Sequence, residues 1–202
     1  MLRVTALSAE RGGKLLFDDV DITLQAGELL HVSGNNGSGK TTLLRILSGL
    51  TDPLSGQIHW QDKAVTDDPE NFRQSLLYIG HHNGLHADLN AIENLQLATS
   101  ANKSIGDIQQ ALHSVGLATH ETKPLRQLSQ GQQRRVALSR LLLEQASLWI
   151  LDEPLAALDT GAIEWFSNCL AQHLQNSGMA IITTHQEARF ISQVSCRVVL
   201  GE

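Results

Sequence analysis

Cysteine is nearly absent from this 202-residue chain: only Cys169 and Cys196 occur, without CxxC spacing, so neither a disulfide framework nor a cysteine zinc site follows from them. A reducing compartment is the expectation. With four prolines and 16 glycines, the chain has neither disordered nor collagen-like composition. It contains no stretch approaching the roughly 20 apolar residues that span a bilayer, so a membrane role requires a partner that does the spanning. The segment Met1 to Gly13 lacks the apolar run of a cleaved signal peptide, and none is expected. Positive charge is also in short supply. Lys and Arg number 15 against 21 Asp and Glu, a net charge of -6, which argues against a protein whose main task is neutralising nucleic-acid backbones. Any anion it binds is held locally. No internal repeat, low-complexity tract or linker is visible.

What is present is ordinary globular material, 42% hydrophobic and 18% charged, of a length that suits one domain or one domain carrying an insertion. Short apolar runs at Glu28–Ser33, Leu76–Ile79, Ser147–Leu151, Met179–Thr183 and Arg197–Leu200 read as buried strands separated by helical segments. That alternation predicts a parallel sheet covered on both faces, with ligands at the carboxyl ends of its strands. Val4–Leu7, Leu15–Phe17, Val20–Leu24 and Gly56–Trp60 are shorter and partly alternating, which predicts a small antiparallel sheet. From about Asn90 to Gln130 the pattern is helical only, with Ser104 and Asp107 spaced as a capping box. A further helix is expected over Gly161–Asn176, with Thr160 as its N-cap and Gly178 just beyond its end.

The strongest local pattern is Gly34-Asn35-Asn36-Gly37-Ser38-Gly39-Lys40-Thr41, a complete GxxxxGK[ST] between a strand-like run and the helical TLLRILSGL. Glycines at these positions let successive backbone N–H groups curl around phosphate oxygens at a helix N-terminus. Lys40 is then placed to reach the β and γ phosphates, Thr41 to offer a hydroxyl to Mg²⁺, and Thr42 to bond the α phosphate. A second element, Leu148-Trp149-Ile150-Leu151-Asp152-Glu153, is a hydrophobic strand ending in two carboxylates. Beside a phosphate loop, Asp152 belongs near the metal and Glu153 one residue deeper, where it can take a proton from an attacking water. These two elements together specify a nucleotide hydrolase or a kinase.

Leu128-Ser129-Gln130-Gly131-Gln132 narrows the choice. It lies before a basic amphipathic helix and closely resembles the LSGGQ signature of ATP-binding cassette proteins, with Gln130 in place of the first signature glycine. Ala157-Leu158-Asp159 is similar to that family's D-loop, and His185 after MAIITT is similar to its switch histidine. The resemblance covers residues 1–202 and implies an α/β fold, the P-loop NTPase domain of ABC type. That fold has a mainly parallel central sheet with helices on both sides, a small antiparallel β subdomain and an inserted helical subdomain. It implies a single ATPase domain, with a nucleotide-binding core over about 1–80 and 131–202 and a helical subdomain over about 81–130. ATP and Mg²⁺ are the implied cofactors. In such proteins Ser129, Gly131 and Gln132 would form a second anion site that closes on the nucleotide of another subunit, so a head-to-tail homodimer is implied. Glu153 would be the base, His185 would contact the γ-phosphate and help orient it and the water, and the charges of Lys40 and Mg²⁺ would stabilise the transferring phosphoryl group. Arg134, Arg135 and Arg140 read as solvated or salt-bridged helix residues.

Two positions depart from the family pattern. By spacing from Glu93-Asn94-Leu95, His81 stands where a glutamine usually contacts Mg²⁺, and an imidazole nitrogen suits softer metals. Action through water and coupling to a partner both remain open for it. A metal or haem-ligand reading of His81, His82 and His86 is disfavoured, because no further cysteine or acidic ligand is near in sequence. Arg11 occupies the place where an aromatic usually stacks on adenine; a stacked guanidinium and a solvated side chain are the two readings.

Tyr78-Ile79-Gly80-His81, the run from Leu128 to Leu138 and Trp149 to Pro154 are similar to the ATP-binding subunits of bacterial cytochrome c biogenesis systems. That resemblance implies a peripheral subunit on the cytoplasmic face of the inner membrane, bound to integral membrane partners that handle haem, with no nucleic acid involved. The alternatives are the energy subunit of another small ABC exporter and a soluble, non-transport cassette ATPase. The acidic charge and the absence of a basic arm disfavour the latter.

Overall fold

The computed structural model describes residues 1–99, 103–184 and 193–201. The described residues fall into two compact units, one within 1–78, 146–153 and 170–201 and the other within 79–145 and 154–169.

The first unit holds two sheets. One is antiparallel, in the order β2 (Lys14–Leu24), β1 (Leu2–Arg11), β4 (Ser55–Trp60), β5 (Lys63–Ala64). The sequence pattern breaks the first hairpin into three fragments, whereas the structure joins them into two long strands paired from Leu2↔Leu24 to Arg11↔Lys14. The reason is irregular register. Ala6 and Asp19 take left-handed φ of 50° and 53°, and the extra residues at such bulges shift the inward face and disrupt alternation.

The other sheet runs β6 (Leu76–Ile79), β7 (Leu148–Asp152), β8 (Met179–Thr183), β3 (Leu29–Gly34), β9 (Cys196–Leu200). The pairs β7–β8, β8–β3 and β3–β9 are parallel. Every residue of β7 and β8 is buried, as expected for strands covered on both faces and as their unbroken apolar runs foretell. Helix α1 (Lys40–Leu47) buries Leu43, Leu44, Ile46 and Leu47 in a core shared with Leu30, Val32, Leu148, Ile150 and Ile181. Helix α2 (Pro69–Gln74) adds Phe72, tilted against Trp60.

The second unit is helical. Helices α3 (Ala91–Ala98), α4 (Ile105–Ser114), α5 (Gln130–Leu138) and α6 (Arg140–Leu143) bury Leu95, Ile108, Leu112, Val136 and Leu143, and a 3-10 turn at Leu125–Gln127 contributes Leu125. Asn90 with Glu93 and Ser104 with Asp107 form the capping boxes that start α3 and α4. Helix α7 (Thr160–Gln175) corrects one expectation: Asp159, not Thr160, caps it, its Oδ1 accepting from the Ala162 N–H at 2.9 Å. A carboxylate here also meets the positive end of the helix, and Thr160 already belongs to the first turn.

Both cysteines are free thiols, and burial pushes Cys169 up to about 11, which keeps it protonated and unreactive near neutrality. His173 stacks on Trp149 with ring centroids 3.7 Å apart and planes 6° apart, its Nε2 3.1 Å from the Met179 carbonyl oxygen. Burial lowers its pKa below the usual histidine value, the Met179 bond opposing this in part. A lowered folded-state pKa means the unfolded chain takes up the proton first on acidification. This contribution to stability is therefore complete above about pH 6.5 and is lost as pH falls below it. His173→Phe, which keeps the stack without the titration, should show a smaller loss of denaturation midpoint between neutral and mildly acidic pH.

Candidate active site

The phosphate loop follows from β3. Gly34, Gly37 and Gly39 have φ of 142°, 82° and 99°, so the turn needs residues free to enter the left-handed side. A methyl group built on Gly34 would lie 2.3 Å from the Leu200 carbonyl oxygen, which forbids any side chain there. Gly39 precedes α1 with no side-chain cap and no acidic residue in the first turn, which leaves the positive helix end available to an anion. Lys40 folds back over this loop, its Nζ donating to the carbonyl oxygens of Gly34 at 2.7 Å and Asn35 at 3.0 Å. Asn35, Asn36 and Gly37 are exposed, and Ser38 and Thr42 are half-buried.

Thr41 Oγ1 donates to Asp152 Oδ2 at 2.7 Å. The other oxygen of Asp152, which is buried, accepts from Thr183 Oγ1 at 2.6 Å, and the Glu153 N–H donates to that same hydroxyl at 2.9 Å. This chain exists because the β7–β8 register sets Asp152 opposite Thr183. Glu153 leaves the strand in a left-handed conformation, φ 50°, which for a non-glycine residue costs about 1 kcal/mol and turns its side chain off the strand line. Thr41 and Asp152 present a hydroxyl and a carboxylate oxygen side by side, a hard-oxygen pair that suits Mg²⁺. His31 on β3 adds an imidazole whose Nε2 is 3.4 Å from the Thr184 carbonyl oxygen; burial lowers its pKa first, against smaller raising effects that include the Glu153 charge. Neither Thr183 nor His31 was singled out by sequence reasoning. Only the Thr-Thr pair ending MAIITT hinted at the first.

In the second unit Ser129 caps α5. Its Oγ accepts from the Gln132 N–H at 3.2 Å and Gln132 Oε1 accepts from the Ser129 N–H at 2.9 Å, a capping box that fixes the start of the helix. Gln130 is exposed. Gly131 faces the Ala157 carbonyl oxygen so closely that an added methyl would lie 2.4 Å from it. The signature segment therefore packs tightly on the Ala157-Leu158-Asp159 turn, and Arg135 pairs with Asp159 beside it. Gly131→Val should displace this turn and lower ATPase kcat about a hundredfold while MgATP still binds the phosphate loop, a split that steady-state kinetics and a nucleotide titration would separate.

Arg134 departs from expectation. It is 3% exposed and hydrogen-bonded within the protein, so it is not a solvated helix residue. Asn94 is buried and pins the preceding loop: its Oδ1 accepts from the His86 N–H at 2.7 Å, and its Nδ2 donates to the carbonyl oxygens of His86, Leu89 and Asn90. His81 is exposed and packs edge-on against His82, with ring centroids 5.5 Å apart. Among the described residues no group of three His, Cys, Asp or Glu side chains is gathered to hold a metal ion. Arg11 is exposed at the end of the β1–β2 hairpin, opposite Lys14. His185 lies outside the described residues.

A phosphate loop after β3 of a parallel sheet, two carboxylates at the end of β7 on the far side of β8, and a signature-capped helix define an ATP-binding cassette ATPase. The chain belongs to the ABC transporter family, whose profile matches residues 17–156. It is 45% identical over 190 residues to the cytochrome c biogenesis ATP-binding export protein CcmA of Dechloromonas aromatica, covering 93% of each chain. With the protein of the same name from Vibrio vulnificus it shares 42% identity over the full length of both. Among solved structures, the ATP-binding subunit of an ABC transporter superposes with a TM-score of 0.86 at 26% identity, over 99% of this chain and 85% of the other.

Proposed function

We propose that this chain is the ATP-hydrolysing subunit of a membrane complex that energises haem export or haem-chaperone handling in c-type cytochrome biogenesis. The observation that carries the chemistry is the hydrogen-bonded run Thr41–Asp152–Thr183–Glu153 beneath the phosphate loop. Lys40, with the loop amides, holds the nucleotide's phosphates, and Glu153 takes the proton of the attacking water. Thr41 and Asp152 would hold Mg²⁺, which when bound supplies positive charge against the phosphate oxygens. His81, on an exposed loop, serves partner coupling in this reading and not metal binding. His185 follows β8 and would contact the γ-phosphate.

Residues 1–202 act here as one ATPase domain. Ser129, Gly131 and Gln132 face the nucleotide of a second copy, giving a head-to-tail homodimer. Among the described residues no helix is long and apolar enough to cross a membrane, which fits a peripheral subunit at the cytoplasmic face of the bacterial inner membrane, held by integral partners. A higher affinity of the closed pair for ATP than for ADP converts hydrolysis into movement. Purification of the tagged protein from its own host's membranes in mild detergent tests the reading. Co-purification of integral cytochrome c biogenesis subunits, with haem absorbance that changes on MgATP hydrolysis, is the expected result. Recovery with unrelated membrane proteins would point to another exporter, and recovery with ribosomes or nucleic acid would overturn the transport assignment.

A further inference from the structure

The guanidinium of Arg134, on α5 and buried, joins three segments far apart in sequence. Its Nη1 donates to the Gly80 carbonyl oxygen and to Asn83 Oδ1, each at 2.9 Å, and its Nε donates to the Pro154 carbonyl oxygen at 3.3 Å. Gly80 and Asn83 bracket His81 and His82, and Pro154 directly follows Glu153. Burying a cation is costly unless hydrogen bonds compensate, and an apolar side chain could fill the same volume without that cost. A neutral amide could not span both loops with the same fork of donors.

We infer that Arg134 is a positioning residue for Glu153: it fixes the backbone of Pro154, one residue beyond the base, to the loop that carries His81 and His82. The inference rests on Glu153 being the base, as in the proposed function. Glu153 sits in a left-handed conformation, which persists only when its surroundings hold it, and the bond from Arg134 to the Pro154 carbonyl oxygen is one such hold. Arg134 thereby ties the 80–83 loop to the residue that directly follows the base.

The test is steady-state ATPase activity of the full chain together with equilibrium binding of a fluorescent ATP analogue, for Asn83→Ala, Asn83→Asp and Arg134→Lys. Asn83→Ala removes one acceptor of the guanidinium and should lower kcat about tenfold with analogue affinity unchanged. Asn83→Asp keeps an acceptor oxygen and should restore most of the rate. Arg134→Lys keeps the charge but loses the fork, and should lower kcat about a hundredfold. Should Arg134→Lys fail to fold, the asparagine pair decides. A folded Asn83→Ala protein with wild-type kcat overturns the inference, as does a loss of kcat matched by an equal loss of analogue affinity. If Glu153→Gln is inactive while Asn83→Ala runs at full rate, only the role of Arg134 fails; if Glu153→Gln hydrolyses ATP normally, the base assignment fails and the inference falls with it.

Discussion

Glu153→Gln is expected to bind MgATP as the wild type does and to hydrolyse it about a thousandfold more slowly, the loss typical of removing a general base. The substitution preserves shape, and the Glu153 N–H keeps its bond to Thr183, because that contact is made by backbone. Asp152 retains both of its threonine partners, so the proposed metal-binding pair is left intact. With the chemical step blocked, the closed pair of subunits accumulates, and the variant should sediment as a dimer with ATP and as a monomer with ADP. Wild-type turnover in this variant would remove Glu153 from the mechanism.

Lys40→Ala has the second large effect, and it falls on binding. Nζ donates to the Gly34 and Asn35 carbonyl oxygens, which places its charge over the phosphate loop. Truncation removes a positive charge from a site where most of the other donors are neutral amides. A loss of about 3 kcal/mol, or roughly a hundredfold in Kd, is expected for such a charge-assisted contact. Calorimetric titration with ATP measures it directly. The fold should survive, because α1 anchors through Leu43, Leu44, Ile46 and Leu47, none of which touches the substitution's purpose. Undiminished affinity would contradict the phosphate-loop assignment.

The parts of this protein legible in its sequence are those written by local pattern. Buried parallel strands are continuous apolar runs, so β3, β7 and β8 could be placed within a residue or so. The phosphate loop needs its glycines at fixed intervals for steric reasons, as the contact between Gly34 and Leu200 illustrates. What escaped depends on pairing between distant segments. Thr183 acquires its role only from the register that sets it opposite Asp152. Arg134 looks like any polar residue on an amphipathic helix, and nothing local reveals that Gly80, Asn83 and Pro154 converge on it. The left-handed Ala6 and Asp19 likewise hide the length of the first hairpin, because a bulge breaks the alternation by which strands are recognised. The cap of α7 moved by one residue, from Thr160 to Asp159, because both types cap well and only geometry chooses between them.

In the proposed function one chain carries halves of two different nucleotide sites: a phosphate loop with its carboxylates, and a signature segment that serves another copy. The most direct measurement is a crystal structure of Glu153→Gln with MgATP. Two copies are expected, each ATP lying between Lys40, Thr41 and Asp152 of one chain and Ser129 and Gly131 of the other. A single chain holding ATP, with its own and every neighbour's signature segment facing solvent, would contradict that arrangement.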